Sequence, residues 1–188
     1  MASDSRTDQE LLDALAAGEE GAFAVLYQRH RDWIVRLAFR FTGHEADALD
    51  VLQEVCTYLV RKALAPGGLK LTAALTTFLY PAVKNLSLAA RRKRCRFVGS
   101  DEALENTIAP PMPPPSDVDD PRAALAGLLG SLPATQREVA LMRFVDDLTL
   151  EEIATALAIP LGTVKSRLHH ALAQLRASPR LQRYFDQA

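Results

Sequence analysis

Cysteine and long apolar runs are the two features that this sequence most clearly lacks. Its 188 residues hold only two cysteines, Cys56 and Cys95, which are too few for a disulfide framework and favour a reducing, cytoplasmic environment. No apolar run approaches the length that a transmembrane helix needs, so we expect no membrane span. The N-terminal stretch MASDSRTDQE is polar and partly acidic, which is typical of neither a secretory signal nor a transit peptide.

The signatures of catalysis and of metal binding are missing as well. No Ser/His/Asp set and no glycine-rich phosphate loop can be recognised. His169 and His170 are adjacent, so on a helix they point about 100° apart and do not chelate one ion together. The spacing of Cys56 and Cys95 fits no zinc site. We therefore expect no enzymatic activity, no cofactor and no metal.

The charge of the chain is distributed over three unequal segments. Residues 1–97 carry 14 Lys/Arg and 11 Asp/Glu, residues 98–121 carry six acids and no base, and residues 122–188 carry eight bases and six acids. The middle segment also holds six prolines, which remove backbone donors and exclude a helix interior or a central strand. We predict two domains, at 1–97 and 122–188, joined by a flexible, acidic, proline-rich linker at 98–121.

Hydrophobic spacing predicts an all-α fold, because no convincing alternating strand pattern occurs in either domain. Thr7 and Glu10 have the spacing of a capping box, and Gly43 is expected to end a later helix. Pro81 lies inside the helix predicted for residues 73–94, where we expect a kink or a break. Apolar residues recur every three or four positions between residues 45 and 61, which indicates one buried stripe. That stripe consists of Leu49, Leu52, Val55, Cys56 and Leu59.

The second domain contains the spacing of a helix-turn-helix. Thr149 and Glu152 form a second capping box, residues 159–162 (IPLG) indicate a turn, and residues 163–176 form a final helix. In such a motif the second helix enters the major groove of DNA by its N-terminal end, where Lys and Arg contact guanine edges or phosphates. A solvated polar face on an ordinary helix pair is the alternative that spacing alone leaves open.

Two parts of the sequence resemble the extracytoplasmic-function sigma factors of bacterial RNA polymerase. Region four of that family is resembled by LPATQREVALMRFVDDLTLEEIATALAIPLGTVKSRLHHALAQLR. Region two is resembled by AFAVLYQRHRDWIVRLAFRFTGHEADALDVLQEVCTYLVRKA and by TTFLYPAVKNLSLAARRKR. The resemblance implies a subunit that binds core polymerase, directs promoter-specific initiation at the nucleoid and is controlled by an anti-sigma factor.

The resemblance implies a polymerase contact on the polar face of the helix at residues 45–61. In the family this face binds the clamp of the β′ subunit, and region four binds the β flap. Without the family, a solvated acidic face is the interpretation we favour. The residues implied are Asp50, Gln53, Glu54 and Thr57.

The resemblance implies that minus-ten promoter DNA contacts the last helix of region two and the loop around residues 63–75, which would help to capture an unpaired base. Stacking platforms and a basic track are what single-strand binding requires. The alternative for the run RRKRCR is a basic helix end that complements its macrodipole, and both readings can hold together. The residues implied are Lys70, Phe78, Lys84, Asn85, Arg91, Arg92 and Arg94.

The minus-thirty-five element is assigned to the leading end of the final helix. The residues implied are Thr163, Lys165, Ser166, Arg167 and His170.

Four positions depart from the family pattern. Phe78 replaces a usual Trp, Pro81 lies in a normally unbroken helix, and Cys56 replaces an aromatic residue. His170 stands where Arg is common, which removes a fixed positive charge.

Two other functions compete with a promoter-directing subunit. One is a stand-alone regulator that dimerises on a palindrome, although residues 1–97 read as polymerase-binding helices rather than as a sensor domain. The other is a paralogue that titrates an anti-sigma factor without transcribing. The acidic linker also has two interpretations, a strand that threads near the RNA path of polymerase or a solvated spacer.

Overall fold

The computed structural model describes residues 4–98 and 127–177, and within these ranges the regular secondary structure is entirely helical. The chain divides into two compact units between residues 104 and 105. The predicted all-α fold is confirmed. Most of the predicted linker, residues 98–121, lies outside the described residues, so its boundaries stay predictions. None of the helices in the described ranges is long and apolar enough to cross a membrane.

The described part of the first unit, residues 4–98, contains four helices. Helix α1 spans Asp8–Ala16, α2 spans Glu20–Thr42, α3 spans Glu45–Ala63 and α4 spans Leu75–Val98. Helices α2, α3 and α4 pack against one another, and α1 lies against α2 and α3. Removal of their apolar faces from water is the main stabilising contribution. The largest fully buried side chains of this unit are Leu11, Leu12, Leu26, Leu37, Phe41, Leu75, Leu79 and Tyr80.

The ends of these helices follow local sequence signals. Thr7 caps α1, with its hydroxyl 3.3 Å from the Glu10 amide while the Glu10 carboxylate accepts from the Thr7 amide at 2.6 Å. Gly43 ends α2 in the left-handed conformation at φ 64°, which a residue without a Cβ adopts freely. Both predictions are confirmed. They could be made from the sequence because capping depends on residues within one turn of each other.

Pro81 does not break α4. The helix runs without interruption from Leu75 to Val98, although a proline removes the donor that the carbonyl four residues earlier would accept from. Leu79 and Tyr80 before the proline and Val83 after it are all buried, so packing holds both halves in one helix. The predicted alternative of a break was therefore wrong, and that of a kink stays a prediction.

Leu49 is the exception to the stripe predicted for α3. Its side chain is 43% exposed, whereas Leu52, Val55 and Leu59 are buried and Cys56 is half-buried. The stripe lies nearer to Ala48 and Val51 than the spacing of the large residues indicates, so the prediction for Leu49 was wrong.

The second unit contains helix α5 at residues 127–131, α6 at Ala134–Phe144, α7 at Leu150–Leu157 and α8 at Leu161–Arg176. Helices α6 and α7 both pack on α8. The predicted capping box of Thr149 and Glu152 is confirmed at the start of α7. Helix α8 begins two residues earlier than predicted, because Pro160 serves as its N-cap and Leu161 and Gly162 are already helical. The core is formed by Leu132, Val139, Met142, Ile153, Val164 and Ala171.

Candidate nucleic-acid and protein interfaces

The outward face of α3 carries a row of polar side chains, which we call the α3 face. Asp50, Gln53, Glu54 and Thr57 are all exposed, and their spacing of three and four residues brings them onto one side of the helix. The opposite side is buried and carries Ala48, Val51, Leu52, Val55 and Leu59. The structure therefore brings together the four residues predicted for a protein contact, with two carboxylates one turn apart.

An apolar edge borders the α3 face, and the sequence analysis did not identify it. Leu49, Cys56 and Val60 recur at seven- and four-residue spacing, so they align along one side of the helix. Burial raises the pKa of the Cys56 thiol, which favours its uncharged form. A shallow groove between α2 and α3 is lined by Phe23, Gln53, Cys56, Thr57, Val60 and Arg61. The same spacing was visible in the sequence, but it was interpreted as part of the core.

A second row runs along α4, and we call it the α4 row. Phe78, Asn85, Arg92 and Arg96 are separated by seven, seven and four residues and therefore lie on one side of the helix. Asn85, Arg92 and Arg96 are exposed, and Phe78 is half-buried. The Phe78 ring stacks on that of Tyr58, with centroids 6.0 Å apart and planes 16° apart. The row combines an aromatic surface, an amide and two guanidinium groups.

Two other basic residues of α4 are engaged inside the first unit. Arg94 donates to the carbonyl of Thr42 at 2.9 Å and lies 3.1 Å from an Asp47 oxygen. The Lys84 ammonium lies 5.9 Å from the centre of the Phe41 ring. These contacts connect α4 to the junction of α2 and α3. Arg94 and Lys84 thus have structural partners, and their DNA contacts stay predictions, as does that of the half-buried Arg91.

Lys70 lies apart from the α4 row, in the connection between α3 and α4. Its ammonium donates to the Asp13 carboxylate of α1 at 2.8 Å, and both side chains are largely exposed. The Lys70 ammonium lowers the pKa of the Asp13 carboxyl. Exposed ion pairs of this kind contribute little to stability, so Lys70 exchanges partners easily.

The leading end of α8 presents polar side chains around a buried apolar side. Val164 and Ala171 are buried, whereas Lys165, Ser166 and His170 are exposed and Thr163 and Arg167 are half-buried. The Ser166 hydroxyl lies 3.5 Å from a ring nitrogen of His170. Helix α8 contains no acidic residue, so its exposed side attracts anions.

At 100° per residue, Lys165 and Arg167 flank opposite edges of this exposed side, and Ser166 lies between them. The five residues predicted for DNA contact thus lie within the first ten residues of α8, although two of them are partly covered by the protein itself.

Comparison with known proteins identifies both units. The family model for Sigma-70 region 2 matches residues 26–97, and the model for Sigma-70, region 4 matches residues 128–177. The ECF RNA polymerase sigma factor SigE of Mycolicibacterium smegmatis is 32% identical over 93% of this chain and 68% of its own length. The ECF RNA polymerase sigma factor SigL of Mycobacterium tuberculosis is 33% identical over 86% of this chain and 90% of its own.

The chain belongs to the extracytoplasmic-function RNA polymerase sigma factors. As a member of this family, it binds core polymerase and promoter DNA and directs the initiation of transcription. The resemblance inferred from its motifs is confirmed. The helix-turn-helix of this sigma factor lies in region 4, and the α3 face and the α4 row lie in region 2.

Solved structures with a similar fold support the helical architecture of this sigma factor. CnrH in complex with the cytosolic domain of CnrY has a TM-score of 0.63 and 23% identity, covering 90% of this chain and 95% of that one. The sigma factor RpoE in complex with the anti-sigma factor NepR from Bartonella quintana has a TM-score of 0.60 and 19% identity, covering 82% and 94%.

Gly162 offers a test of how closely the α8 backbone approaches DNA. It is exposed in the first turn of the helix, and a Cβ added there meets no atom within 4 Å apart from its chain neighbours and the backbone of its own helix. Gly162→Ala should therefore raise the free energy of unfolding by up to about 1 kcal/mol, because alanine favours helix. If α8 enters the major groove as the family resemblance implies, affinity for promoter DNA should fall, because the added methyl group would occupy space near the groove.

Urea unfolding and DNA binding of the same Gly162→Ala preparation measure the two effects separately. Unchanged DNA affinity would show that the backbone does not come close to the duplex at this turn. A loss of stability would contradict the helical geometry at residue 162.

Proposed function

We propose that the α3 face binds the clamp of the polymerase β′ subunit. The observation that carries this proposal is the row of four exposed polar side chains, Asp50, Gln53, Glu54 and Thr57, on a helix whose other side is buried. Two carboxylates one turn apart favour a basic partner. The apolar edge formed by Leu49 and its neighbours supplies surface whose burial would add affinity. Region 4 would contact the β flap.

The α4 row and the loop that carries Lys70 would hold the minus-ten element. Aromatic rings stack on unpaired bases of any sequence, and guanidinium groups neutralise the backbone. Phe78 takes the place of the Trp usual in the family, and its stack with Tyr58 gives it a rigid support. Asn85, Arg92 and Arg96 continue the row toward the end of α4. Arg94, Lys84 and Arg91 would contribute mainly by helping to position α4.

The leading end of α8 would read the minus-thirty-five element. Arg167 has the fork geometry that suits a guanine edge, whereas Lys165 suits a phosphate. Arg167→Ala should cost roughly 1–3 kcal/mol at one promoter position and relax specificity there. Lys165→Ala should weaken all sequences alike and reduce the salt slope by about one unit.

Promoter selection and salt titration with the two α8 variants separate these roles. Equal weakening of every site by Arg167→Ala, together with an altered base preference in Lys165→Ala, would reverse the assignment. No effect from either variant would exclude this helix from base reading. His169→Ala is the matched control, since we expect this exposed position to tolerate change better than Arg167.

An anti-sigma factor would hold this sigma factor inactive when it is free. One of the structures with a similar fold is a sigma factor bound to an anti-sigma factor, which supports the proposal. The domains would be residues 1–97 and 122–188, joined by the linker at 98–121. The subunit would work by binding alone, with no bond made or broken by its own residues, and it would act in the cytoplasm at the nucleoid.

Run-off transcription tests the function as a whole. Core polymerase is incubated with fragments of the genome from which the chain comes, with and without the full-length protein. We expect discrete new transcripts only in its presence. A chain that binds core polymerase and yields no transcript on any fragment would instead support the alternative of a paralogue that titrates an anti-sigma factor.

A further inference from the structure

The connection between α3 and α4, residues 64–74, has little internal support. Gly67 and Gly68 adopt positive φ values of 87° and 66°, and the Gly68 amide donates to the Ala65 carbonyl at 2.8 Å. Beyond that turn, residues 69–73 make no backbone-to-backbone hydrogen bond within the described part of the chain. A loop of this kind needs another partner to hold one conformation.

Gln9 of α1 is that partner. Its side-chain amide donates to the Leu69 carbonyl at 3.1 Å and accepts from the Leu71 amide at 2.8 Å. One amide group therefore bonds to the backbone on both sides of Lys70, as a neighbouring strand would. Gln9 also donates to the Asp13 carboxylate at 2.9 Å, which orients the amide on the surface of α1.

The Asp13 carboxylate adds an ionic contact to the hydrogen bonds of Gln9. The carboxylate accepts from Gln9 and from the Lys70 ammonium, the latter at 2.8 Å. Gln9 thus holds the backbone at Lys70, and Asp13 holds its side chain. The two contacts differ in kind, because backbone bonds fix where the loop lies, whereas an exposed ion pair exchanges readily for another anion such as a phosphate.

We infer that Gln9 is a positioning residue for promoter opening, which presents the 64–74 loop and Lys70 to the unpaired minus-ten strand. The inference rests on the proposed role of this loop in minus-ten recognition. A loop already ordered by Gln9 binds single-stranded DNA without losing conformational freedom at that moment, and preorganisation of this kind raises affinity. Asp13 would release Lys70 to a phosphate as the strand arrives.

Gln9→Met keeps the length and the helix propensity of the side chain but removes both backbone bonds. With full-length protein and core polymerase, we expect roughly tenfold weaker opening of the promoter found by run-off transcription, the size expected for two lost neutral hydrogen bonds. Fluorescence of 2-aminopurine in the minus-ten element measures opening. Hydrogen exchange of the Leu71 amide in the free protein should become faster. Affinity for core polymerase should stay unchanged.

Asp13→Asn is the matched variant on the same turn of α1. An Asn oxygen can still accept from Gln9, so the Leu71 amide should stay protected, while removal of the charge releases Lys70. Opening should be unchanged or up to about twofold stronger, because an acid near the DNA has been removed. A loss of opening as large as that of Gln9→Met would contradict the inference, since it would show that any change on α1 disturbs the loop.

Lys70→Ala separates failure of the inference from failure of the proposed loop function. If Lys70→Ala and Gln9→Met both leave opening intact, the loop does not act on the minus-ten strand. If Lys70→Ala weakens opening and Gln9→Met does not, the loop acts without Gln9 and the inference is overturned. Unchanged exchange at Leu71 in Gln9→Met would overturn it as well.

Discussion

Replacement of Asp50 and Glu54 together by lysine is expected to abolish binding to core RNA polymerase. Both carboxylates are exposed one turn apart on the α3 face, so the change reverses the charge of a surface that favours a basic partner. Like charges brought together at an interface cost several kcal/mol. The helical circular-dichroism spectrum should remain intact, because the buried side of α3 is untouched. Fluorescence anisotropy of labelled protein with core polymerase measures the loss.

Asp32→Lys is the control for charge alone. Asp32 is exposed on α2, where it forms an ion pair with the neighbouring Arg31 at 3.5 Å, between two exposed side chains. The single variant Asp50→Lys, which makes the same charge change, should weaken core binding at least tenfold more than Asp32→Lys. Equal effects of the two variants, or undiminished binding by the double variant, would remove the polymerase contact from the α3 face.

Replacement of Arg137 by methionine should unfold region 4 or lower its free energy of unfolding to near zero. Arg137 is 7% exposed, and its guanidinium donates to the carbonyls of Leu129, Gly130 and Leu132 at 2.8, 2.6 and 2.9 Å. These carbonyls lie at and beyond the end of α5, where helices leave acceptors unpaired. Without this charged donor the carbonyls are left unpaired, which should lower the free energy of unfolding of region 4 by about 3 kcal/mol or more. That is a large share of the stability of so small a helical unit.

Two signals show which unit the Arg137→Met change affects. Trp33 is the single tryptophan of the chain and lies in α2, so its fluorescence reports on the first unit. We expect the Trp33 transition in urea to stay in place while part of the helical circular-dichroism signal is lost at low denaturant. Arg143→Met, which removes one bond to the Leu148 carbonyl at 3.2 Å, should cost at most about 1 kcal/mol. Equal stability of the two variants would contradict the capping role of Arg137.

Local signals in the sequence were sufficient for the ends of several helices. The capping boxes at Thr7 and Thr149 and the glycine end at Gly43 depend on residues within one turn, so their geometry follows from short spacing. The family motifs span distant segments, and they predicted both sigma regions before any packing was known. The expected break at Pro81 and the expected burial of Leu49 were wrong, because burial of the neighbouring residues outweighed the local preference at each position.

The candidate surfaces likewise include features that the sequence predicted and features that it did not. Helical spacing alone placed Asp50 and Glu54 on one face of α3, because residues four apart always lie together on a helix. It did not show that Arg92 is exposed, whereas Arg94 is half-buried, donates to the Thr42 carbonyl and forms an ion pair with Asp47. Within a run of basic residues every turn offers a positive charge to each side, so only the neighbouring helices decide which charges face inward.

The sequence by itself determined the helical fold class, the two sigma regions and the polar faces proposed to carry their function, because each follows from helical periodicity or from the family motifs. Only the tertiary structure decided which basic residues are internal, that Arg137 closes the end of α5, and that Gln9 holds the loop at Lys70. The last contact joins residues about sixty positions apart, and a bond over such a distance depends on how the helices pack.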